Sequence, residues 1–173
     1  MKKILVLLLL SLVTYTAHAQ NNPQLAKAKA MLILSFVRYV GWNESVRTGD
    51  FVIGVVKDKE LVGFLKKQSE GKKFGFQDVV IKEYNNVEDI TDCQVICVSQ
   101  KYNFIKNADK ILDKVGKNTL VITEVEGATA RGSMINFVVR DDKLKFELHK
   151  QNAQVAGIQI SAKLSDMSSA INL

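Results

Sequence analysis

The sequence predicts a single α/β domain of three layers, in which helices flank a mixed, mostly parallel sheet of about six strands. Two observations indicate this fold class. Strand-length apolar runs alternate with amphipathic helical segments, as where Phe51–Val56 precedes Lys59–Ser69. The alternation then gives way to two strands, 133–140 and 143–149, joined by Asp141-Asp142. That pattern is typical of an antiparallel hairpin at the C-terminal end of the sheet.

The remaining elements follow from the same patterns. Residues 24–40 carry apolar side chains at helical spacing, and this helix is expected to begin beside Pro23 and to end at Gly41. Further along the chain the patterns predict a strand from 79, a strand over 93–98, a helix over 102–115 ended by Gly116, a strand over 120–122 and a last helix over 152–164. No repeat or linker interrupts this order, which favours one domain.

The N-terminus has the pattern of a cleaved secretory signal peptide. Two lysines precede an apolar stretch that ends at Val13, and Ala17-His18-Ala19 supplies the small residues that signal peptidase requires. The stretch is shorter than the roughly 20 apolar residues that cross a bilayer, although an uncleaved anchor is the alternative. We expect cleavage between Ala19 and Gln20. Residues 20–173 would then form one exported domain in the periplasm.

Composition narrows the possible partners. The chain is 47% hydrophobic and 24% charged, which is typical of globular proteins and not of disordered ones. Removal of the signal peptide takes away two lysines, so the formal charge falls from +6 to +4. The densest basic cluster, Lys66-Lys67 with Lys72-Lys73, is interpreted as a solvated helix end. Because the cations are scattered and the protein is exported, we expect no nucleic-acid partner.

The two cysteines, Cys93 and Cys97, fall in one predicted strand. Four residues of strand separate Cα atoms by about 13 Å, whereas a disulfide tolerates roughly 4.4–6.8 Å. We therefore expect no Cys93–Cys97 disulfide and interpret both as buried free thiols. A metal site is not expected either, because His149 is the only histidine after the signal peptide and the cysteine spacing alone is a weak signal.

The motifs of common catalytic and cofactor sites are missing from the sequence. It has no dinucleotide fingerprint, phosphate loop, nucleophile elbow or zinc-protease motif. A nucleophile would need a base, and His149 lies on the polar side of an alternating strand, where we interpret it as solvated or as a helix cap. We predict a non-enzymatic protein without a cofactor. A hydrolase that uses Glu124 or His149 is a weaker alternative.

Two surfaces could bind a partner protein. The first is the end of the first helix, where Arg38 and Trp42 are of the residue types that anchor interfaces. Trp42 could instead pack over the edge of the core. The second is the polar face of the C-terminal hairpin, on which Lys145, Glu147 and His149 alternate with apolar residues.

The loop 124–132 is an alternative site for a small molecule. In mostly parallel sheets, ligands bind beyond the carboxyl ends of the strands, and this loop follows such an end. Its charged residues Glu124, Glu126 and Arg131 would contact the ligand, although an ordinary connecting loop would have a similar composition.

Short motifs in matching order resemble the YfiR family of exported bacterial proteins. Lys27-Ala28 with Leu32, Phe36, Tyr39 and Trp42 resembles its opening, and Asp92-Cys93-Gln94-Val95-Ile96 resembles its central strand. The hairpin and the last segment resemble the rest of the family through Gly132-Ser133-Met134-Ile135-Asn136-Phe137, Lys145-Phe146-Glu147-Leu148, Ala156-Gly157-Ile158 and Ser161-Ala162-Lys163-Leu164.

The resemblance implies a function that the spacing of residues does not. It implies a periplasmic negative regulator that binds the sensor region of an inner-membrane signalling protein, either a diguanylate cyclase in cyclic-di-GMP signalling or a sensor kinase. It also implies sequestration by an outer-membrane lipoprotein and a possible homodimer. The hypothesis to be weighed against it is a periplasmic small-molecule binding module that uses the 124–132 loop.

Overall fold

The computed structural model describes residues 23–168, so the predicted signal peptide and its cleavage site at Ala19 and Gln20 lie outside the described residues. The helices are α1 (Pro23–Phe36), α2 (Lys59–Ser69), α3 (Phe104–Val115), α4 (Lys150–Val155) and α5 (Ala162–Met167). The strands are β1 (Val40–Gly41), β2 (Phe51–Val56), β3 (Lys73–Phe74), β4 (Gln77–Tyr84), β5 (Val95–Val98), β6 (Leu120–Thr123), β7 (Ile135–Arg140), β8 (Lys143–Leu148) and β9 (Gln159–Ile160).

Seven of these strands form one mixed sheet in the order β3-β4-β2-β5-β6-β7-β8. The five inner strands are parallel, and β3 and β8 are antiparallel to their neighbours. The predicted α/β class and the C-terminal hairpin are therefore confirmed, with seven strands in place of about six. Asp141 and Asp142 both have positive φ, as a two-residue hairpin turn of type I′ requires. That residues 20–173 form one domain stays a prediction.

Helices cover both faces of the sheet. The chain steps from β2 to β4 in one direction and from β5 to β6 in the other, and such crossovers are right-handed in nearly all proteins. Consequently α2 and α3 lie on opposite faces, and every residue of β2 is buried. Helix α1 packs beside α2 and reaches the hairpin. There the ring centroid of Phe36 lies 4.6 Å from that of Phe146 and 5.9 Å from that of Phe137.

The prediction for the last helix was wrong. In place of one helix over 152–164, α4 ends before Gly157, which has a φ of +79°, and α5 begins after Ser161. Between the two helices, β9 pairs antiparallel with β1. The apolar spacing is compatible with a continuous helix, but pairing with β1 supplies backbone hydrogen bonds that the spacing cannot reveal.

Other helices and strands begin or end a few residues away from their predicted boundaries. Helix α1 stops at Phe36 and passes through a 3₁₀ turn, Val37–Tyr39, into β1, so the predicted helix over 24–40 was too long. Strand β5 begins at Val95, which leaves Cys93 just before the strand. The side-chain carbonyl of Asn103 accepts the Lys106 N–H at 3.1 Å and thereby sets the start of α3.

Replacing Gly54 with alanine is expected to destabilise the protein by about 1–3 kcal/mol. A Cβ at this position in β2 would lie 2.6 Å from the Tyr84 ring and 2.9 Å from Ile96, both of which are buried. The matched control is Gly63→Ala in α2, where nothing lies within 4 Å, and it should stabilise by about 0.5–1 kcal/mol. Urea denaturation of both variants measures the difference, and equal stabilities would contradict the proposed crowding.

Candidate functional site

The carboxyl edge of the sheet, where β2, β5 and β6 end, holds a nearly buried ion pair. Glu124 follows β6, and Lys29 reaches it from the middle of α1. The Lys29 Nζ lies 2.8 Å from Glu124 Oε2, and the two side chains are only 11% and 10% exposed. The pair therefore joins α1 to the end of the central sheet.

The pKa of Glu124 is raised above its ordinary value of 4.5. Burial is the largest cause, because it removes water from the carboxylate. The Lys29 ammonium acts in the opposite direction through its charge and its hydrogen bond, whereas the nearby Asp58 charge adds to the increase. The folded protein thus holds a proton on Glu124 more readily than the unfolded chain does.

This shift predicts a pH dependence that Glu124→Gln removes. A raised folded pKa means that the group's contribution to stability is fully present below about pH 4.5 and is lost as the pH rises through the folded pKa. Relative to Glu124→Gln, the wild-type protein should therefore gain stability as the pH falls from 7 to 4.5. Urea denaturation at several pH values measures the difference between the two proteins. A difference that does not change with pH would contradict the raised pKa.

A groove of about 280 Å³ lies beside this ion pair. Two of the residues predicted for a ligand site, Glu124 and Glu126, line it, together with Lys29 and Arg140. Gln100 and five apolar side chains complete the lining, the latter being Leu25, Phe137, Val138, Val139 and Leu144. The third predicted ligand residue, Arg131, instead pairs with Asp109 of α3 at 3.3 Å.

A buried polar network supports the polar face of the hairpin. Asn136 is fully buried, and its side-chain oxygen accepts hydrogen bonds from the Thr123 hydroxyl at 2.8 Å and from the Val125 N–H at 3.0 Å. Its amide group donates to Glu147 Oε2 at 3.0 Å. Arg140 donates to the other oxygen of Glu147, also at 3.0 Å. Both oxygens of this carboxylate are therefore held in fixed positions.

A second groove, of about 290 Å³, lies between the hairpin and the 3₁₀ turn Ala128–Arg131. Its lining includes Glu147 and His149 of the predicted hairpin surface and Glu126 of the 124–132 loop. His149 Nδ1 accepts the N–H of Asn152 at 3.2 Å and caps α4, in agreement with the interpretation of His149 as a helix cap. Lys145 lies on the same hairpin face, with its ammonium 3.5 Å from Asp141.

Of the two residues predicted for the first contact surface, one is exposed and the other is buried. Arg38 is exposed on the 3₁₀ turn that follows α1. Trp42 is only 6% exposed, and its ring packs edge-on against Phe51 and Phe74. Its indole N–H donates to the Val37 carbonyl at 3.4 Å. Because the ring lies in the core, as the alternative interpretation held, we do not carry Trp42 into the proposed contact surface.

Two important residues, Lys29 and Asn136, escaped sequence analysis. Lys29 lies on the buried face of α1 with Ala26, Ala30 and Ile33. A lysine within this apolar stripe was the one sign in the sequence of a buried charge that needs a partner. Asn136 interrupts the apolar run of β7 in the same way. A polar residue at a core position requires a partner, but the sequence does not identify that partner.

The two thiols are free and buried. Burial raises the pKa of Cys93 to about 12 and raises that of Cys97 as well, so neither forms the reactive thiolate at neutral pH. Over residues 23–168, no group of three or more histidine, cysteine or acidic side chains could hold a metal ion. No helix in that same range has the length and apolar character needed to cross a bilayer.

The described residues form an α/β fold with two grooves that have charged linings, one at the carboxyl edge of the sheet and one beside the hairpin. The chain belongs to the YfiR/HmsC-like family, whose model matches residues 26–169. This confirms the resemblance found in the sequence. The family is regulatory and not catalytic, and it implies a periplasmic regulator of cyclic-di-GMP signalling. A comparison with curated proteins found no match.

Proposed function

We propose that this protein represses an inner-membrane signalling protein, a diguanylate cyclase or a sensor kinase, by binding its periplasmic sensor region. Family membership supports the regulatory role. The observation that carries the contact surface is the groove at Glu126, Glu147 and His149, where partly buried hydrogen bonds fix the side chains of Glu147 and His149. Fixed side chains lose little conformational entropy when a partner binds.

The contact surface must extend beyond this groove. A stable interface buries about 800 Å² on each partner, which needs a neighbouring surface as well as the groove. Lys145 and Arg140 continue the polar face along the hairpin. Arg38 is a further candidate at the end of α1. The proposed surface therefore combines the hairpin face with the loop around Glu126.

Regulation of this kind requires unequal affinities. A binding partner shifts an equilibrium between active and inactive forms only by the difference between its affinities for the two. Moving that equilibrium from 1:99 to 99:1 takes a difference of about 10⁴-fold. The protein should therefore bind the inactive form of the sensor region far more tightly than the active form.

Charge reversal on the hairpin face tests the surface. Purified protein should capture a membrane protein with a cyclase or kinase domain from envelope extracts, and Lys145→Glu should weaken capture about tenfold, equivalent to roughly 1.4 kcal/mol. The matched control is Lys117→Glu, an exposed lysine beyond the end of α3. Equal capture by both variants, or recovery of no such membrane protein, would contradict the proposal. Capture of a lipoprotein or of a second copy tests those two partners in the same experiment.

A small-molecule site in the 280 Å³ groove is the second candidate. Its combination of Arg140, two glutamates and apolar side chains suits a small amphipathic molecule. The volume of about 280 Å³ lies just below the roughly 300–1,000 Å³ typical of ligand pockets, so this candidate ranks second. A thermal-shift screen should find a stabilising compound whose effect is lost in Glu126→Gln and kept in the control Asp113→Asn. The absence of any such compound counts against this site.

A further inference from the structure

We propose that the basic tip, defined as residues 66–78 at the end of α2 and the β3–β4 hairpin, docks the protein on an anionic phospholipid surface. The central observation is Phe76, whose exposed fraction is 98%, the largest of the exposed hydrophobic residues in the described chain. Phe76 would insert among the lipid headgroups, and the lysines around it would contact their phosphates.

The backbone presents Phe76 rigidly. Phe76 is the second residue of a two-residue turn between the paired residues Phe74 and Gln77, and Gly75 before it has a φ of +61°. Phe74 packs into the aromatic cluster of the core. The Gln77 amide donates to two carbonyls of the loop 43–50, at 3.2 and 3.3 Å. With both neighbours anchored, the turn holds the Phe76 side chain away from the protein.

The tip is positively charged. It contains four lysines, Lys66, Lys67, Lys72 and Lys73, and two acids, Glu70 and Asp78. Lys73 pairs with Asp78 at 3.0 Å, whereas no ion pair within residues 23–168 involves the other three lysines. The adjoining loop 43–50 carries one arginine and two acids, so the positive surplus belongs to the tip itself.

This combination favours a lipid surface over a protein partner. Protein interfaces centre on anchors that fill pockets within a packed patch. Here one aromatic ring projects from a turn, and flexible lysines surround it. Membrane-surface elements use this arrangement, in which an apolar side chain enters the headgroup region and basic residues attract anionic lipid. One ring and a few lysines give weak, reversible binding, which concentrates the protein near a membrane partner.

Vesicle binding tests the role of Phe76. Purified protein should sediment with vesicles of phosphatidylcholine and phosphatidylglycerol, should not sediment with phosphatidylcholine alone, and should lose binding as salt rises. Phe76→Ser should weaken binding about tenfold, because the apolar contribution is lost. The matched control is Val155→Ser on α4, which is 74% exposed and lies outside the tip, and which should bind like the wild type.

A second pair of variants tests the lysines. Lys66→Gln with Lys67→Gln should weaken binding about 25-fold, because each lysine contributes about fivefold. Lys106→Gln with Lys117→Gln removes the same charge elsewhere and should leave binding unchanged. The proposal is overturned if the wild type binds neutral vesicles equally, binds neither kind, or keeps its affinity in Phe76→Ser. Loss of capture of a solubilised membrane protein by Phe76→Ser, with vesicle binding unchanged, would overturn it in favour of protein docking.

Discussion

Replacing Lys29 with methionine is expected to lower the free energy of unfolding by about 3–5 kcal/mol. The lysine and Glu124 are both about one-tenth exposed, and their charged atoms lie 2.8 Å apart. Methionine fills a similar volume but leaves the carboxylate buried without its cation. Desolvation of that carboxylate is then no longer compensated, and urea denaturation at pH 7 should show the full loss.

The control for this variant replaces both partners. Lys29→Met combined with Glu124→Leu removes the two charges together, and it should recover most of the stability because a well-packed apolar pair can equal or exceed a buried ion pair. A double variant no more stable than Lys29→Met alone would show that packing, and not the unpaired charge, causes the loss. The two single variants and the double variant together give the coupling energy between the side chains.

Asn136→Ala is expected to destabilise the protein by about 3 kcal/mol, because it removes the hydrogen-bond partner of two polar groups. The substitution leaves the partly buried Val125 N–H and one oxygen of Glu147 without their partners, and each such loss costs roughly 1–3 kcal/mol. The Thr123 hydroxyl loses less, because it also lies 2.7 Å from the Ser133 hydroxyl. Urea denaturation monitored by fluorescence of the buried Trp42 measures the change.

Asn107→Ala provides the matched control. The Asn107 amide donates to the Asn103 carbonyl at 2.8 Å on the surface of α3, where water can replace the lost bond. Its effect should stay within about 0.5 kcal/mol. Similar losses in the two variants would mean that the network around Asn136 adds little.

The predictions for Lys29→Met and Asn136→Ala both concern residues that line the two grooves or support their lining. The ion pair of Lys29 and Glu124 borders the 280 Å³ groove, and the network of Asn136 fixes Glu147 in the 290 Å³ groove. In these grooves Lys29, Glu124 and Glu147 are therefore held by buried or partly buried groups of the protein. Variants meant to test binding should avoid these groups and change more accessible side chains such as Lys145, which is 35% exposed.

The hairpin shows how much of the site a sequence can predict. Alternation along 143–149 assigns Lys145, Glu147 and His149 to one face, and the register Asn136↔Glu147 observed in the sheet agrees with that assignment. The sequence cannot show that Asn136 donates to Glu147, because cross-strand pairing depends on the turn and on the partner strand. It also cannot show that the Trp42 ring turns inward against Phe51.

The sequence by itself determined the α/β class, the central strands, the helices α2 and α3 and the polar face of the hairpin, since each depends on apolar spacing within one segment. The tertiary structure alone decided that the last helix breaks at Gly157, that β9 pairs with β1 and that Lys29 meets Glu124. These features depend on contacts between segments far apart in the chain. Local spacing constrains which side of an element is buried, but not which distant group lies against it.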